Sequence, residues 1–285
     1  MTSTRTFGVE LEIIHSSHAC DMNEVARIIT AAGVACVCES YNHATREHWK
    51  VITDGSVRNN RGQSGCEVVS PVLSGEEGIA ILANVCHALT AAGYGVNKTC
   101  GMHVHVGATD LNVAKMKTLV KTWVKYEDSL ECLVSESRRG QATYCKSNVA
   151  TVTGRRYGSD DAQNVAICEE AFAKIDACQT LDQIRTLFRG DRYHKLNLES
   201  LWRHRTVEVR LHQGTLHARK ACEWVRLCVG MVESAATRTR ISARKSHGHT
   251  AAARVKYLLE NCVEDTSSRL FFQRRKNELC GASAE

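Results

Sequence analysis

The sequence predicts one α+β domain across residues 1–285, and three observations carry that prediction. Runs that alternate apolar and polar residues recur at 6–14, 102–106 and 205–212, and a period of two marks a half-buried strand. Longer stretches show apolar residues at helical spacing, as in 113–135, where Val113, Met116, Val120, Trp123, Leu130 and Val134 form one stripe. No internal repeat, low-complexity linker or composition break divides the 285 residues.

Taken in order, the first strand is 6–14, with Val9, Leu11 and Ile13 on one face and Glu10 and Glu12 on the other. Asp21 with Glu24 makes a capping-box-like start, and Gly33 ends the helix that follows. Residues 48–53 and 65–72 read as strands separated by an Asp54-Gly55-Ser56 turn and a polar loop. Ser74 with Glu77 opens a second helix that closes at Gly93, and 102–106 is the next strand. After the 113–135 helix, the polar, glycine-containing stretch 137–160 reads as a surface excursion. Helices are expected near 162–177 and 181–188, strands at 192–198 and 205–212, and a helix from 217 to 237. The remainder, from about 238, is expected to be helical and basic.

Hydrophobic residues make up 43% and charged residues 24%, which excludes disordered, collagen-like and rod-like chains. No apolar run reaches the roughly 18–20 residues that span a bilayer, so no membrane contact is expected. The first six residues lead into a strand pattern without a signal-peptide core, and the expected compartment is the cytoplasm. There the 14 cysteines would stay reduced. They form no C-x-x-C pair, and Cys86, Cys132, Cys168, Cys222 and Cys228 lie in apolar stretches. The net charge of +6 is concentrated late in the chain, at Arg238, Arg240, Arg244, Lys245, Arg254, Lys256, Arg269, Arg274, Arg275 and Lys276. Such a cluster reads either as a solvated helical surface or as a contact for a polyanion such as nucleic acid.

Side chains at i and i+2 of a strand share a face. Glu10 pairs in this way with Glu12, His103 with His105, and Glu208 with Arg210, while the residues between them (Leu11, Val104, Val209) suit a packed face. Glu67, between Cys66 and Val68, adds another acid. Carboxylates that face one another repel unless a cation lies among them. Oxygen donors with one imidazole suit Mg²⁺ or Mn²⁺. An arginine beside them suits a phosphate, so these residue types point to a metal-dependent nucleoside triphosphate site. No glycine-rich P-loop is present. No thiol pair completes a zinc site near Cys100, and no local signature marks a Cys/His nucleophile.

Six blocks together resemble the amidoligase family. They are Phe7-Gly8-Val9-Glu10-Leu11-Glu12, Asp54-Gly55-Ser56, the Gly65–Pro71 segment, Gly101-Met102-His103-Val104-His105, Arg192-Tyr193 with Leu196-Asn197, and Thr206-Val207-Glu208-Val209-Arg210 with Gly214-Thr215-Leu216. They run in the family's order over about residues 6–230. The family belongs to the carboxylate–amine ligase superfamily of glutamine synthetase and glutamate–cysteine ligase. The resemblance implies a curved, mainly antiparallel sheet that forms a funnel-shaped active site, with helices packed on its outer face. It implies Glu10, Glu12, Glu67, His103 and Glu208 as metal ligands, and His105 and Arg210 as contacts to ATP phosphates. Arg192 and Asn197 are further cofactor-site candidates. Asp54 would attract the ammonium group of an incoming amine, which makes Asp54 and Arg210 the catalytic pair.

The expected activity is ATP-dependent joining of a carboxylate to an amine through an acyl phosphate, with ATP and Mg²⁺ or Mn²⁺ as cofactors. Neither substrate is named by the residues. Two alternatives stay open: a metal-dependent phosphohydrolase that uses water as nucleophile, and a non-catalytic nucleotide-binding protein.

Overall fold

The computed structural model describes residues 3–238, 240–243 and 250–281, so the expected basic positions Arg244 and Lys245 lie outside the described residues. The chain forms two compact units, Met1–Val106 with His212–Arg226 and Gly107–Leu211 with Leu227–Glu285.

The first unit is built on an open, mostly antiparallel sheet. Its strands are β1 (Thr6–His15), β2 (Cys36–Cys38), β3 (Trp49–Ile52), β4 (Cys66–Val69), β5 (Leu73–Ser74), β6 (Tyr94–Gly95) and β7 (Gly101–Gly107). The order runs β2-β3-β4-β1-β7, and β5 and β6 pair with the ends of β1. Among the described residues of this unit, only the β2–β3 pair is parallel. One face carries Phe7, Val9, Leu11 and Ile13 of β1, Trp49 and Val51 of β3, Val68 of β4, and Met102, Val104 and Val106 of β7, all buried. Helix α1 (Met22–Ala31) packs against β3 and against α2 (Gly75–Ala91). These helices contribute Val25, Ile29, Leu82, Val85 and Leu89 to the core. Each such side chain contributes roughly 1.5–3 kcal/mol on burial, so the alternation of β1 has one register that keeps its carboxylates out of the core. Asp21 caps α1 as expected, accepting from the Asn23 and Glu24 amides. Ser74 precedes α2 without a side-chain cap.

The second unit is mainly helical. Its elements are α3 (Val113–Glu131), α4 (Asn148–Thr153), α5 (Asp161–Ala177), α6 (Leu181–Leu187), β8 (Leu196–Asn197), α7 (Ser200–His204), β9 (Thr206–Gln213) up to Leu211, α8 (Ala218–Thr237) from Leu227, α9 (Ala251–Cys262) and α10 (Thr266–Cys280), while the end of β9 and the first half of α8 count with the first unit. Helix α3 packs on α4, α5, α6 and α9, and α10 packs on α9. Strands β8 and β9 are antiparallel, with Asn197 opposite Glu208 and Leu196 opposite Val209.

Several expectations change. The α3 helix ends at Glu131, where the Cys132 and Leu133 amides turn back to Ser129 and Leu130. The expected excursion 137–160 contains α4, and Cys145, Ser147, Asn148, Val149 and Val152 are buried. The expected strand 192–198 contracts to Leu196–Asn197, because residues 193–195 pair with Lys146 by a single bridge. Part of the basic tail faces inward: Arg254 is 2% exposed and pairs with Asp128 at 2.5 Å, and Lys276 is buried, whereas Lys256 and Arg274 are exposed. Among the described residues no helix is long and apolar enough to cross a membrane.

Candidate active site

In the first unit, strand register gathers the acids on the face opposite the core. Residues opposite one another in an antiparallel pair project to the same side. Glu10 lies opposite His103, Gly8 opposite His105, and Glu12 opposite Glu67. Lys50 lies opposite Val69, and Ile52 opposite Glu67. Glu10, Glu12, Glu67, His103, His105 and Lys50 therefore share one face. Asp54 joins them from the turn after β3, its Oδ1 accepting from the Ser56 amide at 2.7 Å and hydroxyl at 2.6 Å. A side chain at Gly65, which precedes β4, would run into the Ile13 carbonyl and the Val57 side chain, so glycine lets β4 lie close to β1.

The polar contacts are short. His103 Nδ1 lies 2.9 Å from Glu10 Oε2, and His105 Nε2 lies 3.2 Å from Glu10 Oε1. His103 Nε2 is 3.6 Å from Glu12 Oε1, and the Gly101 amide donates to Glu12 Oε2 at 2.6 Å. Burial works to raise the Glu10 carboxyl, but the two histidines outweigh it and hold that carboxyl well below the usual carboxylate range. Ligand atoms of Glu10, Glu67 and His103 lie within 4.8 Å of one another, as do those of Glu12, Asp54 and Glu67. Carboxylate oxygens with one imidazole at this spacing fit a hard divalent cation.

Lys50, which the sequence reading passed over, is 3% exposed on this face. Its ammonium donates to the Asn42 carbonyl (3.2 Å), Asn42 Oδ1 (2.9 Å) and the Ala44 carbonyl (2.7 Å), which saturates all three protons. Burial pushes its pKa down, and Glu39, Glu67 and Glu10 pull it back up. Hydrogen bonds from Arg46, His48 and Asn42 bring the Glu39 carboxyl down to about 2. The loop over 39–48 is thus tied at two points. The alternation Trp49-Lys50-Val51-Ile52 was the signal that could have placed Lys50 beside the acids.

In the second unit, Glu208 and Arg210 lie on one face of β9, as their spacing predicts. Arg210 Nη1 donates to Glu208 Oε1 at 2.5 Å, and Asn197 Nδ2 donates to Glu208 Oε2 at 2.5 Å. Arg192 is exposed and donates to the Tyr193 hydroxyl at 3.1 Å. A buried layer that the sequence reading missed holds these residues. Asn148 grips Leu196 twice, accepting from its amide and donating to its carbonyl at 2.9 Å each. Lys195, fully buried, bonds to Glu131 at 2.8 Å and to the Gly140 carbonyl, while its own carbonyl accepts from the Arg210 amide at 2.8 Å. Glu127 accepts from Ser147, from the Asn148 amide at 2.8 Å and from Trp123 at 3.1 Å, and burial raises its carboxyl.

A family model described as "Putative amidoligase enzyme" matches residues 3–232. The chain belongs to the amidoligase family. The matched span contains both residue clusters of this amidoligase-family chain, and α9 and α10 lie beyond it. No curated protein matches the sequence. Among solved structures the chain is similar to a bifunctional glutathione synthetase from Pasteurella multocida, at 12% identity and a TM-score of 0.44. That similarity covers 97% of this chain and 47% of the other, so the chain spans about half the length of that relative.

Proposed function

We propose that this chain is an ATP-dependent carboxylate–amine ligase that uses Mg²⁺ or Mn²⁺ and works in the cytoplasm. Alongside family membership, the observation that carries the reading is the gathering of Glu10, Glu12, Glu67, Asp54 and His103 on one sheet face. We read that face as the wall of a funnel-shaped pocket of the glutamine synthetase kind, and both units as parts of one catalytic domain.

Glu10, Glu12, Glu67 and His103 would hold the metal, and Glu208 takes the same role from the resemblance. Bound there, the divalent cation would offset phosphate charge. His105 and Arg210 would contact the phosphates of ATP, and the Glu208 ion pair orients the Arg210 fork for that contact. A substrate carboxylate oxygen attacks the γ-phosphorus and releases ADP. The ammonium gives up one proton, the freed amine nitrogen attacks the acyl carbon, phosphate leaves, and a second proton is lost as the amide forms. Asp54 favours binding of the ammonium form of the amine. Exposed Lys256 and Arg274 remain candidates for contact with a polyanion.

Profiling ADP release against paired acid and amine libraries tests the reading. ADP release that requires both an acid and an amine is the expected result. Release with neither would make the protein a phosphohydrolase, and nucleotide bound without any release would make it a binding protein. Either outcome overturns the proposal.

A further inference from the structure

We propose that Cys132 and Cys280 form a site of reversible oxidation, where a peroxide converts the two thiols to a disulfide that ties the last turn of α10 to the end of α3. The assignment does not rest on the ligase reading. Neither thiol belongs to the acidic face or to the Glu208–Arg210 pair, and α10 lies beyond the span that the family model matches.

The geometry of the second unit brings the pair together. Cys132 follows the last residue of α3, and Cys280 is the last residue of α10. The two thiols are hydrogen-bond partners. The Cys280 thiol also donates to the Cys132 carbonyl at 3.7 Å, while the Cys132 thiol donates to the Asp128 carbonyl at 3.5 Å. Arg139 spans the same junction, its Nε donating to the Val134 carbonyl at 3.1 Å and its Nη2 to the Leu279 carbonyl at 3.3 Å. Among the described residues Cys280 is the one exposed cysteine, and Cys132 beneath it is buried. Asn277 and Glu278 are exposed as well, so the last turn can close over Cys132 without moving the buried Phe272 and Lys276.

The difference in burial assigns the two roles. An exposed thiol meets a dissolved oxidant, and a thiol buried at its side captures the oxidised product. Burial and the neighbouring Cys280 push the Cys132 thiol up to about 12, so it keeps its proton until that capture. The Cys280 thiolate attacks one oxygen of hydrogen peroxide, the O–O bond breaks, and hydroxide leaves. The peroxide is reduced, and the Cys280 sulfur is oxidised to a sulfenic acid. The Cys132 sulfur then attacks the Cys280 sulfur, an S–S bond forms, and the S–O bond breaks. The departing hydroxide takes the Cys132 proton as water. Two thiols and one peroxide thus give one disulfide and two waters. A dithiol reductant reverses the bridge by thiol–disulfide exchange. A reducing compartment keeps the site open until peroxide arrives, which is the transient use of disulfides that such compartments allow.

The test treats the full chain with one equivalent of hydrogen peroxide, blocks the remaining thiols and maps bridged peptides by mass spectrometry. A Cys132–Cys280 bridge within one chain is expected, and dithiothreitol should restore both thiols. Cys132→Ser should leave Cys280 as a sulfenic acid that dimedone captures, whereas Cys280→Ser should leave Cys132 unmodified at the same dose. Cys280 is on the surface, so Cys280→Ser should match the wild-type melting temperature and keeps the test decisive even where Cys132→Ser fails to fold. Dimedone on Cys132 in Cys280→Ser would overturn the assigned roles. Four results in wild type would each overturn the site: both thiols still free, bridges between chains only, Cys280 oxidised alone to a sulfinic acid, or a bridge mapped only to other cysteines. Cys20 and Cys66, whose thiols also meet, are the competing pair for that last result.

Discussion

Glu67 belongs to both carboxylate groups of the first unit, one with Glu10 and His103 and the other with Glu12 and Asp54. Two like charges about 4 Å apart repel by at most about 4 kcal/mol at an effective dielectric near 20. The nearby Lys50 ammonium and proton uptake reduce the net strain to about 1 kcal/mol. Glu67→Gln keeps the shape and removes one charge. It should therefore raise the melting temperature in chelator and shrink the further rise produced by Mg²⁺ and ATP. Thermal melts of both proteins under both conditions check this. A lower melting temperature in chelator with an undiminished Mg²⁺–ATP shift would remove Glu67 from the metal set. Lys50 shows how a residue's role depends on what surrounds it: its spacing is that of an ordinary strand residue, and its three acceptors come from a loop six to eight positions earlier.

At the scale of elements, the segment around β8 is held by polar side chains rather than by a long ladder. His194 Nδ1 donates to the Asp191 carbonyl at 2.8 Å, and Nε2 lies 2.9 Å from the Thr151 hydroxyl, which itself donates to the Ser147 carbonyl at 3.0 Å. Burial lowers the pKa of His194 below its ordinary value. A lowered folded-state pKa means that the unfolded chain binds more protons near pH 6, so this contribution is complete above the ordinary histidine range and is lost as pH falls through the lowered value. Chemical denaturation between pH 7.5 and 5 should show stability falling with acidity, and His194→Gln should flatten that slope. An unchanged slope would show that His194 is not the group responsible. Helices α8 and α9 give a second case. A side chain at Gly230 of α8 would collide with the Cys262 carbonyl of α9. Helix propensity alone makes Gly→Ala favourable by about 1 kcal/mol, yet overpacking costs roughly 1–3 kcal/mol. Gly230→Ala should lower stability in a urea titration, and a gain would show that the two helices move apart at little cost.

For the molecule as a whole, the donor set ties nucleotide binding to the metal. Calorimetric titration should show ATP binding in Mg²⁺ or Mn²⁺ and a loss of at least tenfold in affinity in excess chelator. Binding of N-state ligand at a hundred times its Kd stabilises by about 2.7 kcal/mol, so the melting temperature should rise with ATP only when metal is present. Equal affinity with and without chelator would detach the acidic face from nucleotide binding.

The same scale separates what was legible from what was not. Strands β1 and β7 and helices α1, α5 and α8 fall within a residue or two of their expected bounds, because their apolar spacing is written in consecutive residues. The pairs Glu10 with Glu12, His103 with His105 and Glu208 with Arg210 were legible for the same reason, since the period of a strand fixes which side chains share a face. Residues 137–160 were misread, because a polar stretch looks like solvent-exposed loop until its partners are known. Ser147 and Asn148 are buried there because Glu127 and Leu196, distant in sequence, satisfy their hydrogen bonds. Local order thus determined by itself the α+β class, most elements and the residue types of the site. Only the tertiary structure decided that Glu12 faces Glu67, that Asp54 joins them, that Lys50 stands among the acids, and that Arg254 turns inward to Asp128. Those outcomes depend on register and on burial against distant partners, which no window of neighbouring residues contains.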